Sequence, residues 1–89
     1  MKLNPDFRLE TVAGENMLVR VSSGKADMTS VFSINEPAAW LWNSIQDIEF
    51  DEEMLVGLIT GEYEVEEKVA RKDMHDLLVL FDSFGMLLK

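Results

Sequence analysis

Residues 35–42 mark a change in the spacing of apolar side chains, and this change constrains the fold more than any other feature of the chain. Over residues 29–34 the side chains alternate, as they do in a half-buried strand. After residue 42 the apolar positions recur every third or fourth residue, the spacing of an amphipathic helix. Pro37 favours a helix start, because the first helical N–H has no intrahelical partner. The sequence therefore predicts a strand that runs directly into a helix, capped by Asn35 or Glu36.

Alternating segments upstream of this junction predict a small antiparallel sheet. The first covers residues 7–12 and the second residues 17–22, with turn-forming residues at 14–16 between them. A break at residues 23–24 separates the second segment from the third, which covers about residues 28–34. Three short strands joined in this way form a meander with one solvated face.

The remainder of the chain has helical spacing. The first helix is predicted over residues 37–46, the second begins after an N-cap at Asp51, and the third covers residues 66–84 before Gly85. A last extended segment is predicted at residues 86–88. The predicted buried positions are Ala38, Leu41, Trp42, Ile45 and Ile48 in the first helix, Met54, Leu55, Leu58 and Ile59 in the second, and Ala70, Leu77, Phe81 and Phe84 in the third.

A chain of 89 residues is long enough for one hydrophobic core. Because three strands and three helices cannot bury themselves separately at this length, the sheet is expected to pack on the helices. The predicted fold class is α+β, with a three-stranded antiparallel sheet followed by three helices. The predicted domain covers residues 1–89.

Charge is distributed unevenly along the chain, whose net charge is −9. Residues 1–45 hold four basic and five acidic side chains, whereas residues 46–89 hold four basic and twelve acidic ones. The second and third helices, with the strands as a wing, also match a winged helix-turn-helix DNA-binding regulator. Binding to phosphates requires lysine and arginine on the recognition helices. The acidic half therefore disfavours nucleic acid as a partner.

No pattern in the chain predicts catalysis or a bound cofactor. The sequence has no cysteine, no glycine-rich phosphate loop and no serine–histidine–aspartate set. The acidic run at residues 47–53 begins like a calcium loop, but Glu52 and Leu58 occupy the positions that need glycine and glutamate. We therefore expect no enzyme activity, no metal and no cofactor. Without an apolar run of about 18 residues or a signal peptide, the expected location is the cytoplasm.

Several short matches, in order along residues 3–88, carry a resemblance to a known family. They are Ile34-Asn35, Ala38-Ala39, Trp42, Tyr63-Glu64-Val65, Asp73-Met74, Leu77-Leu78, Phe81 and Gly85-Met86-Leu87. In these residues the chain resembles the PqqD-like family, the small peptide-binding domains also called RiPP precursor recognition elements. The resemblance implies a fold related to the winged helix-turn-helix, in agreement with the periodicity.

The resemblance also implies a function as a peptide chaperone. Family members bind the leader of a ribosomally made precursor peptide as an extra strand, in a groove between the third strand and the third helix. They present it to a modifying enzyme, which is a radical SAM protein in pyrroloquinoline quinone biosynthesis. The implied peptide-binding residues are Thr29, Ser30, Val31, Phe32 and Ser33 on the strand and Arg71, Met74, His75 and Leu78 on the helix.

Two questions about this site remain open at the level of sequence. The opposite flank of the third helix, with Val69, Asp73, Asp76 and Leu80, is an alternative groove wall, and Met74 and Leu78 are alternatively core residues.

Trp40 and Trp42 are expected to support the strand from behind. The acidic helices favour a leader with basic character. A structural interaction module, including a homodimer, is the further alternative for the function.

Overall fold

The computed structural model describes the backbone of residues 1–22 and 25–88 and the side chains of residues 1–21 and 31–88. The elements are β1 (Lys2–Leu3), β2 (Phe7–Val12), β3 (Glu15–Ser22), β4 (Lys25–Ile34), α1 (Glu36–Ser44), α2 (Glu52–Glu62), α3 (Glu67–Ser83) and β5 (Leu87–Leu88). Strands β2, β3 and β4 form an antiparallel sheet in that order, and the three helices follow it. The predicted α+β architecture is confirmed. The predicted break at residues 23–24 lies outside the described residues.

The turn between β2 and β3 lies one residue earlier than predicted. Val12 pairs with Glu15, so the two-residue turn is Ala13-Gly14 and both of its residues have positive φ, 53° and 81°. Two residues of positive φ give the turn the twist that matches the flanking strands. Glycine adopts this conformation without steric cost, which explains why Gly14 is the second residue of the turn. Asn16, predicted as part of the turn, belongs to β3.

One face of the sheet packs against the helices. The register aligns Leu9, Leu18 and Phe32 across the three strands. Leu18, in the central strand, is fully buried, and Leu9 and Phe32 are partly buried against the same core. The position of Phe32 matters for function, because β4 is an edge strand and Phe32 therefore lies where the core reaches the open side of the sheet.

The pairing of β4 with β3 is regular in two stretches that a shift in register separates. Four successive pairs place residues 31–34 opposite residues 16–19, and the next pair joins Arg20 to Asp27. Residues 28–30 therefore fall outside the described register. A bulge of this kind interrupts the ladder and bends the strand.

The junction between β4 and α1 follows the prediction. Asn35 is the N-cap, because its side-chain oxygen accepts a hydrogen bond from the backbone N–H of Ala38 at 3.0 Å. Pro37 lies in the first turn. The next predicted cap, Asp51, accepts a hydrogen bond from the N–H of Met54 at 2.9 Å and begins α2.

Three predicted buried positions are exposed. Met54 is 41% exposed, Ile48 is 41% exposed and Phe84 is 43% exposed. Ile48 lies beyond the end of α1, outside its periodic stripe. In α2 the buried residues are Leu55, Val56 and Ile59, because this helix contacts both α1 and α3 and its buried face is rotated away from Met54.

The buried stripe of α3 is rotated in a similar way. It consists of Ala70, Met74, Leu78 and Phe81. Met74 and Leu78 are each 7% exposed. The alternative interpretation, in which these two residues belong to the core, therefore describes their burial. Leu77, predicted at the centre of the stripe, is only partly buried. The rotation leaves the flank that contains Leu77 and Phe84 less covered.

A glycine motif ends α3 and returns the chain to the core. Gly85 has a φ of 75°, and its N–H bonds to the carbonyl of Asp82 at 3.1 Å. The N–H of Met86 bonds to the carbonyl of Phe81 at 2.9 Å, which completes a Schellman motif. The predicted last extended segment is β5, which pairs with β1. Among the described residues, no helix combines the length and the apolar character needed to cross a membrane.

Candidate functional site

A cavity lies between the outer edge of β4 and the C-terminal part of α3. We call it the strand cavity, and its volume is about 280 Å³. Its lining residues are Leu18, Val31, Phe32, Ser33, Ile34, Leu80, Phe81, Phe84 and Met86. Side chains of a strand alternate between its two faces, so four successive residues of β4 border one cavity only where the backbone edge borders it as well. The strand cavity is therefore open to the edge of β4 that β3 does not occupy.

A second and larger cavity lies between the N-terminus of α1, the C-terminal end of α2 and the middle of α3. We call it the helix cavity, and its volume is about 540 Å³. Its lining residues are Asn35, Pro37, Ala38, Ile59, Tyr63, Val65, Ala70, Asp73, Met74, Asp76, Leu77 and Leu80. Most of these side chains are apolar, and the two aspartates are the charged residues in the lining.

Leu80 lines both cavities, which therefore adjoin. This side chain is 48% exposed, although leucine at such a position gains free energy from burial. Phe84, one turn further along the chain, is also exposed, and its ring lies 4.2 Å from the ring of Phe32 on β4. The two cavities and these exposed side chains form one continuous apolar groove beside β4 and α3.

Two tryptophans of α1 support aromatic residues that line the cavities. The ring of Trp42 is buried and meets Phe81 of the strand cavity edge-on, at a centroid distance of 5.5 Å. Trp40 meets Tyr63 of the helix cavity edge-on at 5.9 Å. Edge-to-face pairs of this kind hold aromatic rings in fixed orientations. Neither tryptophan lines a cavity, and each contacts an aromatic residue that does. Their support of the strand from behind stays a prediction.

The two aspartates of the helix cavity differ in their partners. Asp76 accepts an ion-paired hydrogen bond from the ammonium group of Lys72 at 2.9 Å, and this bond raises the pKa of Lys72. Asp73 has no hydrogen bond or ion pair with another described side chain, although its charge also contributes to the raised pKa of Lys72. Asp73 is exposed and places a carboxylate with no paired side chain among the described residues at the edge of the helix cavity.

The other flank of α3 faces α2 and is occupied by ion pairs. The guanidinium group of Arg71 bonds to both carboxylate oxygens of Glu53 and to Glu67, the latter at 3.0 Å. The bond to Arg71 lowers the pKa of Glu53, and the two glutamates raise the pKa of Arg71. The Nδ1 atom of His75 lies 2.9 Å from a carboxylate oxygen of Glu52. The polar groups of this flank are thus directed at α2.

The structure brings together some of the predicted site residues and separates others. Val31, Phe32 and Ser33 line the strand cavity, and Met74 lines the helix cavity. Leu78 is buried in the core, whereas Arg71 and His75 lie on the flank facing α2 and line neither cavity. Thr29 and Ser30 belong to the backbone of β4, but their side chains lie outside the described part of the structure.

Several residues of the groove are absent from the predicted site. They are Tyr63 and Val65 after α2, and Leu77, Leu80 and Phe84 on α3. Leu80 belongs to the flank that the sequence left as the alternative wall. The position of Phe84 beside Gly85 could have predicted its place in the groove. An aromatic residue at the end of a helix need not belong to the buried stripe of that helix. No group of three or more metal-ligating side chains occurs among the described residues.

Comparison with known proteins identifies the family to which the chain belongs. No curated protein matches the sequence. The fold is similar to that of a solved structure, TbiB1 in complex with the TbiA(beta) leader peptide, with a TM-score of 0.73 and 20% identity over 98% of this chain and 94% of that one. The family model of coenzyme PQQ synthesis protein D matches residues 16–86. This range includes β4, α3 and the residues that line both cavities. The chain therefore belongs to the PqqD family.

Proposed function

We propose that the chain is a non-catalytic recognition protein for the leader segment of a ribosomally made precursor peptide. The leader adds as a strand to the outer edge of β4 and places side chains in the groove. The observation that carries this proposal is the strand cavity, in which the edge of β4 and the apolar flank of α3 border the same space. The similar fold of TbiB1, a protein described in complex with a leader peptide, supports it.

Addition of a strand explains how such a site recognises a peptide. Backbone hydrogen bonds to an edge strand are independent of sequence, whereas pockets beside the edge select alternate side chains. In the strand cavity those pockets are formed by Phe32, Phe84 and Leu80. Leader residues directed toward α3 are therefore apolar, and residues directed away from it face solvent.

The bound leader is presented to a modifying enzyme, for which we propose a radical SAM protein. Besides its two aspartates the groove lining contains the polar residues Ser33, Asn35 and Tyr63. Among the described residues no hydrogen bond joins the hydroxyl group of Ser33 or Tyr63 to an aspartate, so the lining forms no nucleophile and base pair for chemistry. Val79, which is 57% exposed and lines neither cavity, is available for contact with the enzyme while the groove is filled. The acidic surfaces of α2 and α3 disfavour the alternative of DNA binding.

Selection of peptides followed by selective methylation tests this proposal. A display library of random dodecapeptides is selected on the protein, and an enriched peptide is synthesised with N-methyl groups on one alternate set of backbone amides or on the other. In an antiparallel or parallel added strand, successive amides point to opposite sides. We expect one methylated set to lose binding at least about tenfold by titration calorimetry, and the other to bind within about twofold of the parent.

The outcome that would overturn the proposal is equally specific. If no peptide is enriched, the groove is not a peptide site. If both methylated sets bind equally, the peptide fills a pocket without joining β4, and strand addition is wrong. Binding of a purified radical SAM protein, measured with and without the enriched peptide, tests the partner separately.

A further inference from the structure

The helix cavity continues the path that a peptide on β4 would take. Residues 31–34 of β4 border the strand cavity, and Asn35, Pro37 and Ala38, the next part of the chain, border the helix cavity. Leu80 separates the two. A peptide paired with residues 31–34 and extended past Leu80 therefore reaches the helix cavity.

The size and lining of the helix cavity suit a large side chain with an apolar body. Its volume of about 540 Å³ lies within the range of roughly 300–1,000 Å³ that is usual for ligand sites. Ile59, Val65 and Met74 supply apolar walls, and Tyr63 is fixed by its contact with Trp40. An apolar peptide residue placed here gains free energy from burial.

Asp73 adds a charge requirement to this apolar site. Asp76 is already paired with Lys72, whereas Asp73 lacks an ion pair with any described side chain. Asp73 is exposed, so its attraction for a cation is modest and adds to the burial of the apolar part of the ligand against the walls of the cavity. Lysine and arginine fit both properties, since their stems cover apolar surface while their charged groups reach the carboxylate.

We infer that the helix cavity is a second subsite, in which Asp73 selects a lysine or arginine that adjoins an apolar anchor residue of the bound peptide. This inference rests on the proposed function and names the chemistry of its ligand. It assigns Asp73, rather than the overall negative charge of the chain, as the source of selectivity for basic leaders.

The experiment compares three proteins in the same dodecapeptide selection: wild type, Asp73→Asn and Glu64→Gln. Glu64 is the matched control, because it is an exposed carboxylate between two lining residues but lines neither cavity. Both variants remove one negative charge. We expect wild type and Glu64→Gln to enrich lysine or arginine next to an apolar residue, and Asp73→Asn to lose this enrichment.

Titration of one enriched peptide and its Lys→Gln form measures the coupling. With wild type we expect the Lys→Gln peptide to bind about three- to tenfold more weakly, and with Asp73→Asn both peptides to bind equally. An equal loss with Asp73→Asn and Glu64→Gln would overturn the inference, since it would show a long-range effect of net charge. Enriched peptides without a basic residue would also overturn it.

The methylation experiment separates this failure from failure of the proposed function. If methylation of alternate amides has unequal effects but Asp73→Asn leaves peptide preference unchanged, strand addition holds and the second subsite is wrong. If no peptide responds to methylation, the proposed function is wrong as well. Circular dichroism of each variant verifies that the loss of selectivity does not reflect unfolding.

Discussion

The two flanks of α3 differ in what covers them. The flank with Arg71 and His75 meets glutamates at the start of α2, and both side chains have polar contacts with them. The flank with Leu80 and Phe84 borders the two cavities and leaves both side chains nearly half exposed. One flank is thus satisfied by contacts within the chain, whereas the other has apolar surface that a ligand can cover. The difference identifies the side of α3 on which recognition is expected.

The buried stripe of α3 lies between the two flanks and holds both in place. Loss of a side chain from this stripe should have the largest effect on stability. Phe81 is 2% exposed and packs against Trp42. We expect Phe81→Ala to lower the free energy of unfolding by about 3–5 kcal/mol, through lost burial and the cavity left behind. Urea unfolding followed by circular dichroism measures it. Phe84→Ala, on the open flank, is the control and should cost clearly less; equal losses would show that the open flank is core.

Leu80 should have the largest effect on peptide binding. We expect Leu80→Asp to weaken binding of a selected peptide by about tenfold or more, because a carboxylate replaces an apolar contact shared by both cavities. Val79→Asp changes the neighbouring residue, which is more exposed than Leu80 and lines neither cavity, and this variant should bind within about twofold of wild type. Titration calorimetry measures both. Equal losses would place the peptide elsewhere on α3.

The α2-facing flank provides the reciprocal test. Arg71 and His75 are predicted from the sequence as peptide-binding residues, and this prediction is still to be tested. Because their polar groups are directed at Glu53 and Glu52, we expect Arg71→Gln and His75→Gln to change peptide affinity by about twofold or less. A loss comparable to that of Leu80→Asp would restore the sequence-based assignment and remove the distinction between the flanks.

The pH dependence of stability should show the smallest effect. The bond to Arg71 lowers the pKa of Glu53 below its ordinary value of 4.5. A carboxylate with a lowered pKa in the folded state stabilises the fold above its unfolded pKa, and this contribution is lost as the pH falls through the folded value. Since the pair is exposed, the contribution is small and weakens with salt.

Urea midpoints of wild type and Glu53→Gln at low ionic strength measure this contribution. We expect the difference between them to be present near neutral pH and to be lost as the pH falls through the lowered pKa of Glu53 in the folded state. A difference that persists in acid would mean that Glu53 acts through packing or helix propensity, and the ion pair would not be what holds this flank closed.

Most of the fold is predictable from local patterns. The alternation over residues 7–12, the caps at Asn35 and Asp51 and the helix stop at Gly85 each depend on a few neighbouring residues. The pairing of β1 with β5 is not predictable in this way, because each strand has two residues and the contact joins opposite ends of the chain. The irregular register of β4 is likewise not visible in the sequence, because the alternation of its side chains continues past residue 31 without a break.

The choice between the flanks of α3 could not be made from the sequence. Arg71 and His75 on one side and Asp73 and Leu80 on the other lie at similar angles from the buried stripe, so the helix alone is ambiguous. Only the side on which α2 packs distinguishes them. One signal was present: acidic residues at the start of α2 are natural partners for Arg71 and His75.

The short part of β4 that borders the strand cavity limits how much of the binding free energy the backbone can supply. With residues 31–34 as the edge at this cavity, an added strand forms about four backbone hydrogen bonds. At a net value of roughly 0.5–1.5 kcal/mol each, these bonds give at most about 6 kcal/mol before the entropy of ordering the peptide is subtracted. Micromolar affinity requires about 8 kcal/mol. A peptide with no apolar side chains for the groove would therefore not reach micromolar affinity for β4. The protein recognises its partner mainly through the side chains of that partner.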